Sequence, residues 1–189
     1  MPLPSRADAW RLLTEYTSSD SLAKHMLAVE SAMRAYARQN EADEDLWGMT
    51  GLLHDFDYER WPNPALDESG HPWVGVAMLR ERKYPEEMCD AIMGHAPFTK
   101  YPRTTPLAKT LFAVDELCGL ITAIGYVRPE KLNGLEPSSV KKKLKDKAFA
   151  RGVSRDDVRL GIEELGVDPD AHYRLVIAAL QSIAPQLGL

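Results

Sequence analysis

The sequence predicts an all-α protein, and three observations support this fold class. Nearly every segment places apolar residues three and four positions apart, which is the spacing of one helical face. The alternation of β-branched and polar residues that is typical of strands is missing. Stretches with prolines and glycines, such as residues 58–70 and 96–106, mark loops. With 189 residues, of which 44% are hydrophobic, the chain fits a single domain with a substantial core.

The charge and cysteine content narrow the function classes. The formal charge of −5 disfavours a general binder of nucleic-acid polymers or anionic membranes, although a local basic patch could receive an anionic substrate. Cys89 and Cys118 fall inside predicted helices and are expected to be reduced packing residues. The most apolar long segment, 111–127, is interrupted by Asp115 and Glu116, which argues against a membrane span. We therefore expect a cytoplasmic protein; its oligomeric state is left open.

The helical period and the capping residues give the elements in order. Serine, threonine and aspartate at 17–20 can cap the second helix, and Pro72 suits the first position of the fourth. Pro85 starts the fifth helix, and the sixth is the most hydrophobic in the chain. The predicted helices cover residues 7–16, 21–39, 43–55, 71–83, 88–94, 107–124, 138–150, 154–165 and 169–183.

Several polar residues fall on predicted apolar faces. His25 lies three residues after Leu22 and four before Val29, and His95 follows an apolar helical face in the same way. Asp115 lies on the apolar stripe of the sixth helix, where an aspartate is costly unless it is paired or coordinated. A lone histidine on such a face is more often a satisfied core residue than a ligand, and Asp115 alone could pair with an arginine.

The stretch 51–58 ends the third predicted helix with His54 and Asp55 side by side. The residues before it are apolar at helical spacing, so the pair lies at the end of a buried element. An imidazole and a carboxylate in apolar surroundings need a partner, and a divalent metal is a natural one.

Taken together, these groups predict a metal site. Each lies on the buried face or at the end of a separate helix, and such side chains converge by accident only rarely. The six metal-competent residues are His25, His54, Asp55, His71, His95 and Asp115. The remaining histidine, His172, is assigned to the surface side of the last helix and given no role.

The order His, His-Asp, His, His, Asp resembles the HD-domain superfamily of metal-dependent phosphohydrolases. The local motifs at residues 24–25, 53–55, 70–72, 92–95 and 113–117 agree with it. The segments 127–129, 138–143 and 147–150 are similar to bacterial HD hydrolases of unassigned substrate. The resemblance covers about residues 20–180. It implies one HD domain over residues 1–189, a helical bundle with its core at about 20–125 and extra C-terminal helices at about 126–189.

The resemblance also implies roles for the six residues. His25, His54, Asp55 and Asp115 would form the core metal site, with His54 and Asp55 as the catalytic pair. His71 and His95 match the two histidines that complete a second site in some HD proteins, where the aspartate of the pair bridges the ions. One or two divalent ions per chain are expected, with manganese, iron, nickel, cobalt, zinc and magnesium all open.

Two departures from the family pattern follow the His-Asp pair. Many two-metal HD phosphodiesterases carry a lysine at the position of Tyr58, and Asp57 stands where a glycine is common. We therefore do not carry over specificity for cyclic dinucleotides. Asp57 and Glu59 are interpreted either as proton-transfer groups or as solvated residues or hydrogen-bond partners of the ligands.

Candidates for binding a phosphate are Arg128, Lys100, Arg103 and Lys141 with the basic run 141–147. The alternative for that run is a solvated helix face. Three aromatic residues beside the loops could stack on a ring of the substrate or simply pack; they are Trp61, Trp73 and Phe98.

The predicted function is metal-dependent hydrolysis of a small phosphorylated metabolite or nucleotide, as a phosphomonoesterase or a phosphodiesterase, by metal-activated water. Two alternatives stay open. One is a di-iron oxygenase, because a minority of HD proteins that resemble inositol oxygenase use the same six ligands. The other is a nucleotide-sensing module that keeps the metal without turnover.

Overall fold

The structure, a computed structural model, describes residues 3–189 and contains no strand within them, which confirms the all-α prediction. A short 3-10 turn, Pro97–Thr99, follows the fifth helix. The α-helices of the described range are α1 (Arg6–Tyr16), α2 (Asp20–Gln39), α3 (Glu44–Leu53), α4 (Trp73–Glu81), α5 (Glu86–His95), α6 (Pro106–Val127), α7 (Pro137–Lys145), α8 (Arg155–Leu165), α9 (Pro169–Ser182) and α10 (Ala184–Leu187).

Side-chain caps fix most helix starts close to their predicted positions. The serine, threonine or aspartate before the helix accepts a hydrogen bond from a backbone N–H of the first turn, which otherwise has no partner. These caps are Ser5, Ser19, Asp43, Thr105, Ser154 and Asp168.

One predicted helix ends early. The expected helix 138–150 stops at Lys145, and residues 146–153 form turns. The guanidinium of Arg155 binds four backbone carbonyls in this segment, those of residues 146, 149, 150 and 153. These bonds come from the first residue of the next helix, α8, so the helical period of residues 138–150 does not show them.

The central helix of the bundle is α6, which contacts α2, α5, α8 and α9. By length and composition it is apolar enough to cross a membrane, but 61% of its most apolar window is buried inside the structure. Its residues Leu107, Leu111, Leu117 and Ile121 are fully buried in the main hydrophobic cluster. It is therefore the core helix of the bundle.

Helices α2 and α3 pack closely against each other, and Gly51 lies where they cross. A Cβ at Gly51 would come within 2.9 Å of the backbone nitrogen of Glu30 and the carbonyl oxygen of Val29. Real Cβ atoms are not found that close to backbone atoms, so glycine permits this approach. The crossing brings the end of α3 beside the second turn of α2.

The C-terminal helices complete the same hydrophobic cluster. Val140, Val158, Val176 and Leu180 are buried in it together with residues of α1 to α6. Cys89 and Cys118 are both buried and unpaired, as predicted, and burial raises their thiol pKa values.

The prediction that His172 lies on the surface is wrong. His172 is 1% exposed, because α9 packs against α2, α6 and α7 and so has more than one buried face. The Tyr36 hydroxyl donates to its Nδ1 at 2.5 Å, and its Nε2–H donates to the Ala113 carbonyl at 3.1 Å. Burial lowers the pKa of His172 to about 4, so the ring is neutral at physiological pH.

The lowered pKa predicts an acid-sensitive contribution to stability. The pKa of His172 falls from 6.5 to about 4 on folding, so the unfolded state binds the extra proton between these values and stability is lost as the pH falls from 6.5 to 4. The unfolding free energy of the unsubstituted protein should fall by about 2–3 kcal/mol more between pH 7 and pH 4.5 than that of His172→Gln. Urea unfolding with a metal chelator, followed by circular dichroism, measures both. Equal losses in the two proteins would refute this assignment.

Candidate metal centre

Six side chains from five segments converge inside the bundle. His25 lies in the second turn of α2, and Asp115 lies midway along α6. His54 is the C-cap of α3, with Asp55 directly after it, and His95 is the last residue of α5. His71 precedes α4 through a cis bond to Pro72. Three triplets of these residues have ligand atoms within 4.8 Å of one another; they are His25–His54–Asp55, His54–His95–Asp115 and Asp55–His71–His95.

Asp55 divides the cluster into two half-sites. Its Oδ2 faces the first, at 3.4 Å from Nε2 of His54 and 4.0 Å from Nε2 of His25. Asp115 completes this first half-site, with its Oδ1 at 3.0 Å from His25 and 3.5 Å from His54. Oδ1 of Asp55 faces the second half-site, at 3.3 Å from Nε2 of both His71 and His95. One carboxylate therefore presents an oxygen to each half-site.

The cluster has a buried floor and a solvent-facing edge. The side chains of His54, His71 and His95 are at most 6% exposed. Those of His25, Asp55 and Asp115 are 17–22% exposed. A small molecule would therefore reach the cluster from the side of His25 and the two aspartates.

Hydrogen bonds assign the tautomers of the three floor histidines. Nδ1–H of His54 donates to the Gly51 carbonyl at 2.8 Å, and that of His95 donates to the Ile92 carbonyl at 2.5 Å. Both acceptors lie in the last turn of a helix, where carbonyls have no intrahelical partner. Nδ1–H of His71 donates to Oδ1 of Asp57 at 2.7 Å. In each ring the proton is on Nδ1, so Nε2 presents a lone pair to the cluster.

These lone pairs face each other and the carboxylates. Nε2 of His54 is buried and has no hydrogen-bond partner. Nε2 of His71 lies 3.3 Å from Nε2 of His95. Electron pairs at this distance repel unless positive charge lies between them, and that charge is either a proton or a metal ion. Imidazole nitrogens with carboxylate oxygens form a donor set suited to a divalent transition metal. The residues present therefore fit such an ion.

The electrostatics of the protein alone point the same way. Burial by itself would lower the pKa of His54, but the carboxylates of Asp55 and Asp115 outweigh it and raise that pKa well above the usual value. Burial opposes ionisation of the two aspartates, but His54 and the other imidazoles hold both pKa values below the usual range. The cluster therefore attracts a cation, and protons and metal compete for the same lone pairs.

Asp57 orients His71. It is 1% exposed; its Oδ1 accepts from His71, and its Oδ2 accepts the backbone N–H of Gly75 at 2.7 Å. A Cβ at Gly75 would lie 2.6 Å from the Asp57 carboxyl carbon, so only glycine leaves room for this carboxylate. Of the roles considered for Asp57, the structure shows a hydrogen-bonded partner of a cluster histidine. The burial of Asp57 could not be predicted from the sequence, because the nearby Asp55 and Glu59 are also acidic and no apolar pattern marks the position.

The turn that carries Asp55 and Asp57 is anchored to the start of α2. The Thr17 hydroxyl donates to the Phe56 carbonyl at 3.0 Å. The backbone N–H groups of Ser18 and Ser19 donate to the Glu59 carboxylate at 3.0 and 2.8 Å. Glu59 is therefore an exposed structural contact, away from the imidazoles.

Of the aromatic side chains near these loops, Tyr58 contacts a residue of the second half-site. Tyr58 is 49% exposed, and its ring meets that of His71 edge to face, with centroids 5.3 Å apart. The rings of Trp73 and Phe98 pair with centroids 5.7 Å apart. Trp61 instead packs against Tyr16 at 5.6 Å, as in the packing alternative.

Two of the four predicted phosphate-binding residues are held by carboxylates elsewhere. Arg103 makes two hydrogen bonds to Glu164, at 2.7 and 2.6 Å, and donates to the Gly94 carbonyl at 2.8 Å. Lys141 pairs with Asp170 at 2.6 Å. Neither makes an ion pair with a residue of the cluster.

The other two lie outside the cluster as well. Arg128 follows Asp115 by thirteen residues, which is about 20 Å along α6 and its end. Lys100 is exposed in a left-handed conformation just after the 3-10 turn that follows His95. The structure therefore brings the six predicted metal-competent residues together, but not the predicted cations.

Glu116, the acid next to Asp115, was predicted only to interrupt an apolar segment. It accepts the backbone N–H of Ser154 at 3.1 Å. Burial and the adjacent Asp115 raise its pKa to about 7. The sequence did offer a signal for Glu116, because a second acid beside Asp115 on the most apolar helix is unusual.

The fold and the site define an all-helical protein whose histidine and aspartate cluster could hold a metal ion. Residues 22–120, just over half of the chain, match the family model described as HD domain. The chain therefore belongs to the HD-domain family, as the motif order predicted, and all six cluster residues lie within the matched span. No curated protein and no solved structure matches the chain.

The contact between Asp57 and His71 gives a prediction for metal affinity. Asp57→Asn places an amide NH₂ against either Nδ1–H of His71 or N–H of Gly75, because both neighbours are donors. Zinc or manganese affinity should fall by about 10–100-fold. Competition with a chromophoric chelator measures it. Glu68→Gln removes an exposed carboxylate three residues before His71 and should leave affinity unchanged. Equal affinity of Asp57→Asn and the unsubstituted protein would contradict the assignment.

Proposed function

We propose that this protein is a metal-dependent phosphohydrolase that acts on a small phosphorylated metabolite or nucleotide, as a phosphomonoesterase or phosphodiesterase. The observation that carries the proposal is the arrangement of Asp55, whose two oxygens face two separate groups of imidazoles. Such an arrangement suits a carboxylate shared by two ions. Membership of the HD-domain family, whose members are generally metal-dependent phosphohydrolases, agrees with this chemistry.

The two half-sites offer different numbers of protein donors. His25, His54 and Asp115 with Oδ2 of Asp55 would hold one ion, and His71 and His95 with Oδ1 of Asp55 would hold the other. A bound divalent ion supplies Lewis acidity and lowers the pKa of its water toward neutrality. The second half-site has only three protein donors, as expected of a site that keeps positions for water and substrate.

The chain's own residues shape the reaction site in three ways. The buried floor keeps bulk water away from behind the cluster, so substrate and solvent enter past His25 and the aspartates. Asp55 and Asp115 stay ionised at neutral pH because their pKa values are lowered, so they hold positive charge rather than donate protons. Asp57 keeps the Nε2 lone pair of His71 directed at the second half-site.

The substrate phosphate would be bound mainly by the ions. Among the described residues, none of the four cationic candidates makes an ion pair with a cluster aspartate. Tyr58 occupies the position where many two-metal HD phosphodiesterases carry a lysine, and it brings an aromatic edge beside His71 instead of a charge. This favours a small ester that the ions can hold without an arginine clamp.

A di-iron oxygenase is the second candidate, because the same six donors around a shared carboxylate also suit two irons. Iron content of protein from iron-replete cells separates the two functions. Two irons per chain with oxygen consumption would support the oxygenase, and phosphate release stimulated by another divalent metal would support the hydrolase. Ligand-induced stabilisation without turnover would support the nucleotide-sensing module.

The direct test is a panel of phosphate esters assayed with manganese, cobalt, nickel, zinc and magnesium. We expect metal-stimulated release of phosphate or nucleoside monophosphate, and loss of this activity with a chelator. His54→Ala with Asp55→Ala should lower activity by at least about 100-fold, because both half-sites lose a ligand. Far-UV circular dichroism should show that the helices persist.

Glu87→Ala, which removes an exposed carboxylate on α5, serves as the matched control and should keep full activity. Activity that survives in the double variant would place the site elsewhere. Absence of turnover with every metal and substrate would count against the proposed function.

A further inference from the structure

A groove between α7, α8 and α9 lies apart from the metal centre. Its volume is about 380 Å³, within the range of small-molecule sites. The apolar part of its lining consists of Leu144, Val158, Ile162, Pro169 and Tyr173. It shares no residue with the six-residue cluster, so it is not part of the proposed substrate site.

Four cationic side chains line the same groove: Lys141, Lys145, Arg155 and Arg159. Two of them are compensated, since Lys141 pairs with Asp170 at 2.6 Å and Arg159 pairs with Asp156 at 3.1 Å. Lys145 makes no ion pair within residues 3–189.

Arg155 likewise makes no ion pair with a carboxylate of residues 3–189. Its two terminal nitrogens donate to backbone carbonyls, which are neutral, and its Nε is buried without a hydrogen-bond partner. The groove therefore carries an excess of positive charge in a chain whose formal charge is −5.

A cavity with apolar walls and excess positive charge favours a ligand that has both an apolar part and a negative charge. An inorganic anion would leave the apolar walls without a partner, and a neutral apolar molecule would leave the two uncompensated cations unused. Charge complementarity adds to the burial of apolar surface only when the ligand is an amphipathic anion.

We propose that this groove binds a small amphipathic anion, in which a carboxylate or phosphate group is attached to an apolar body. The anionic group contacts Lys145 and lies near the positive charge of Arg155, whose terminal N–H groups stay bonded to backbone carbonyls. The apolar body packs on Leu144, Ile162 and Tyr173. The proposal is independent of the reaction at the metal centre, and it accounts for part of the basic run 141–147 that phosphohydrolysis leaves unused.

Isothermal titration of the 189-residue chain, in the presence of a metal chelator, tests the proposal with octanoate and octyl phosphate as probes. At least one probe should bind saturably with one site per chain. Inorganic phosphate and 1-octanol, which each lack one half of the ligand, should bind at least tenfold more weakly. Saturable binding should persist in His54→Ala with Asp55→Ala, because the groove lies outside the metal centre.

A pair of charge reversals on α7 locates the site. Lys145→Glu should weaken the binding of the probe by at least tenfold, because it reverses a charge that lines the groove. Lys142→Glu makes the same change on the same helix outside the groove and should leave binding unchanged. Equal weakening in both variants, equal binding of 1-octanol, loss of binding in the metal-site double variant, or no saturable binding of either probe would overturn the proposal.

Discussion

The constraint on which the structure depends is a group of imidazole and carboxylate electron pairs, enclosed by the bundle, that face one another and need a proton or a metal ion between them. Three imidazoles have their Nδ1 protons committed to Gly51, Ile92 and Asp57, so their Nε2 lone pairs all point toward the carboxylate of Asp55. Such an arrangement is unfavourable in the absence of positive charge and strongly favourable around a cation. The bundle folds in a way that creates the need for a cation and leaves an edge through which it can enter.

The bundle uses ordinary features of helices to hold this arrangement. Histidines at the C-terminal ends of α3 and α5 donate to carbonyls that those ends leave unpaired, so chain geometry and tautomer are fixed by the same bond. A glycine at the crossing of α2 and α3 brings the end of α3 beside His25. Helices α8 and α9 pack on the other side of α6, at Ala113, two residues before Asp115. A Cβ at Gly161 of α8 would lie 2.7 Å from Cα of Ala113, and His172 of α9 donates to the Ala113 carbonyl. The C-terminal helices thus support the helix that carries one of the proposed ligands.

The helices could be predicted because helical period and caps are local features of the sequence. The convergence of the cluster could be predicted because six metal-competent residues each fall on a buried face or a helix end, in an order that resembles the HD-domain superfamily. The sequence did not reveal features that depend on contacts between distant segments. His172 was misplaced because a single-face helical pattern cannot describe a helix that packs on three neighbours. Arg103 was predicted to bind substrate because its ion-pair partner, Glu164, lies 61 residues away and could not be recognised from the sequence. Asp57 sits among polar residues in the sequence, and only the approach of Gly75 shows that its carboxylate is buried.

The measurement that tests the central claim most directly is the metal content per chain, by elemental mass spectrometry on untagged protein purified without chelator and then incubated with divalent metals. The account predicts one or two tightly held ions per chain, because imidazole nitrogens and carboxylate oxygens converge into a donor set for divalent ions, which outcompete protons for the same lone pairs. Iron at two equivalents would shift the interpretation of the site toward oxygen chemistry without changing this claim. A folded protein that retains no metal after incubation would contradict it, since the six converging side chains would then have no cation to bind.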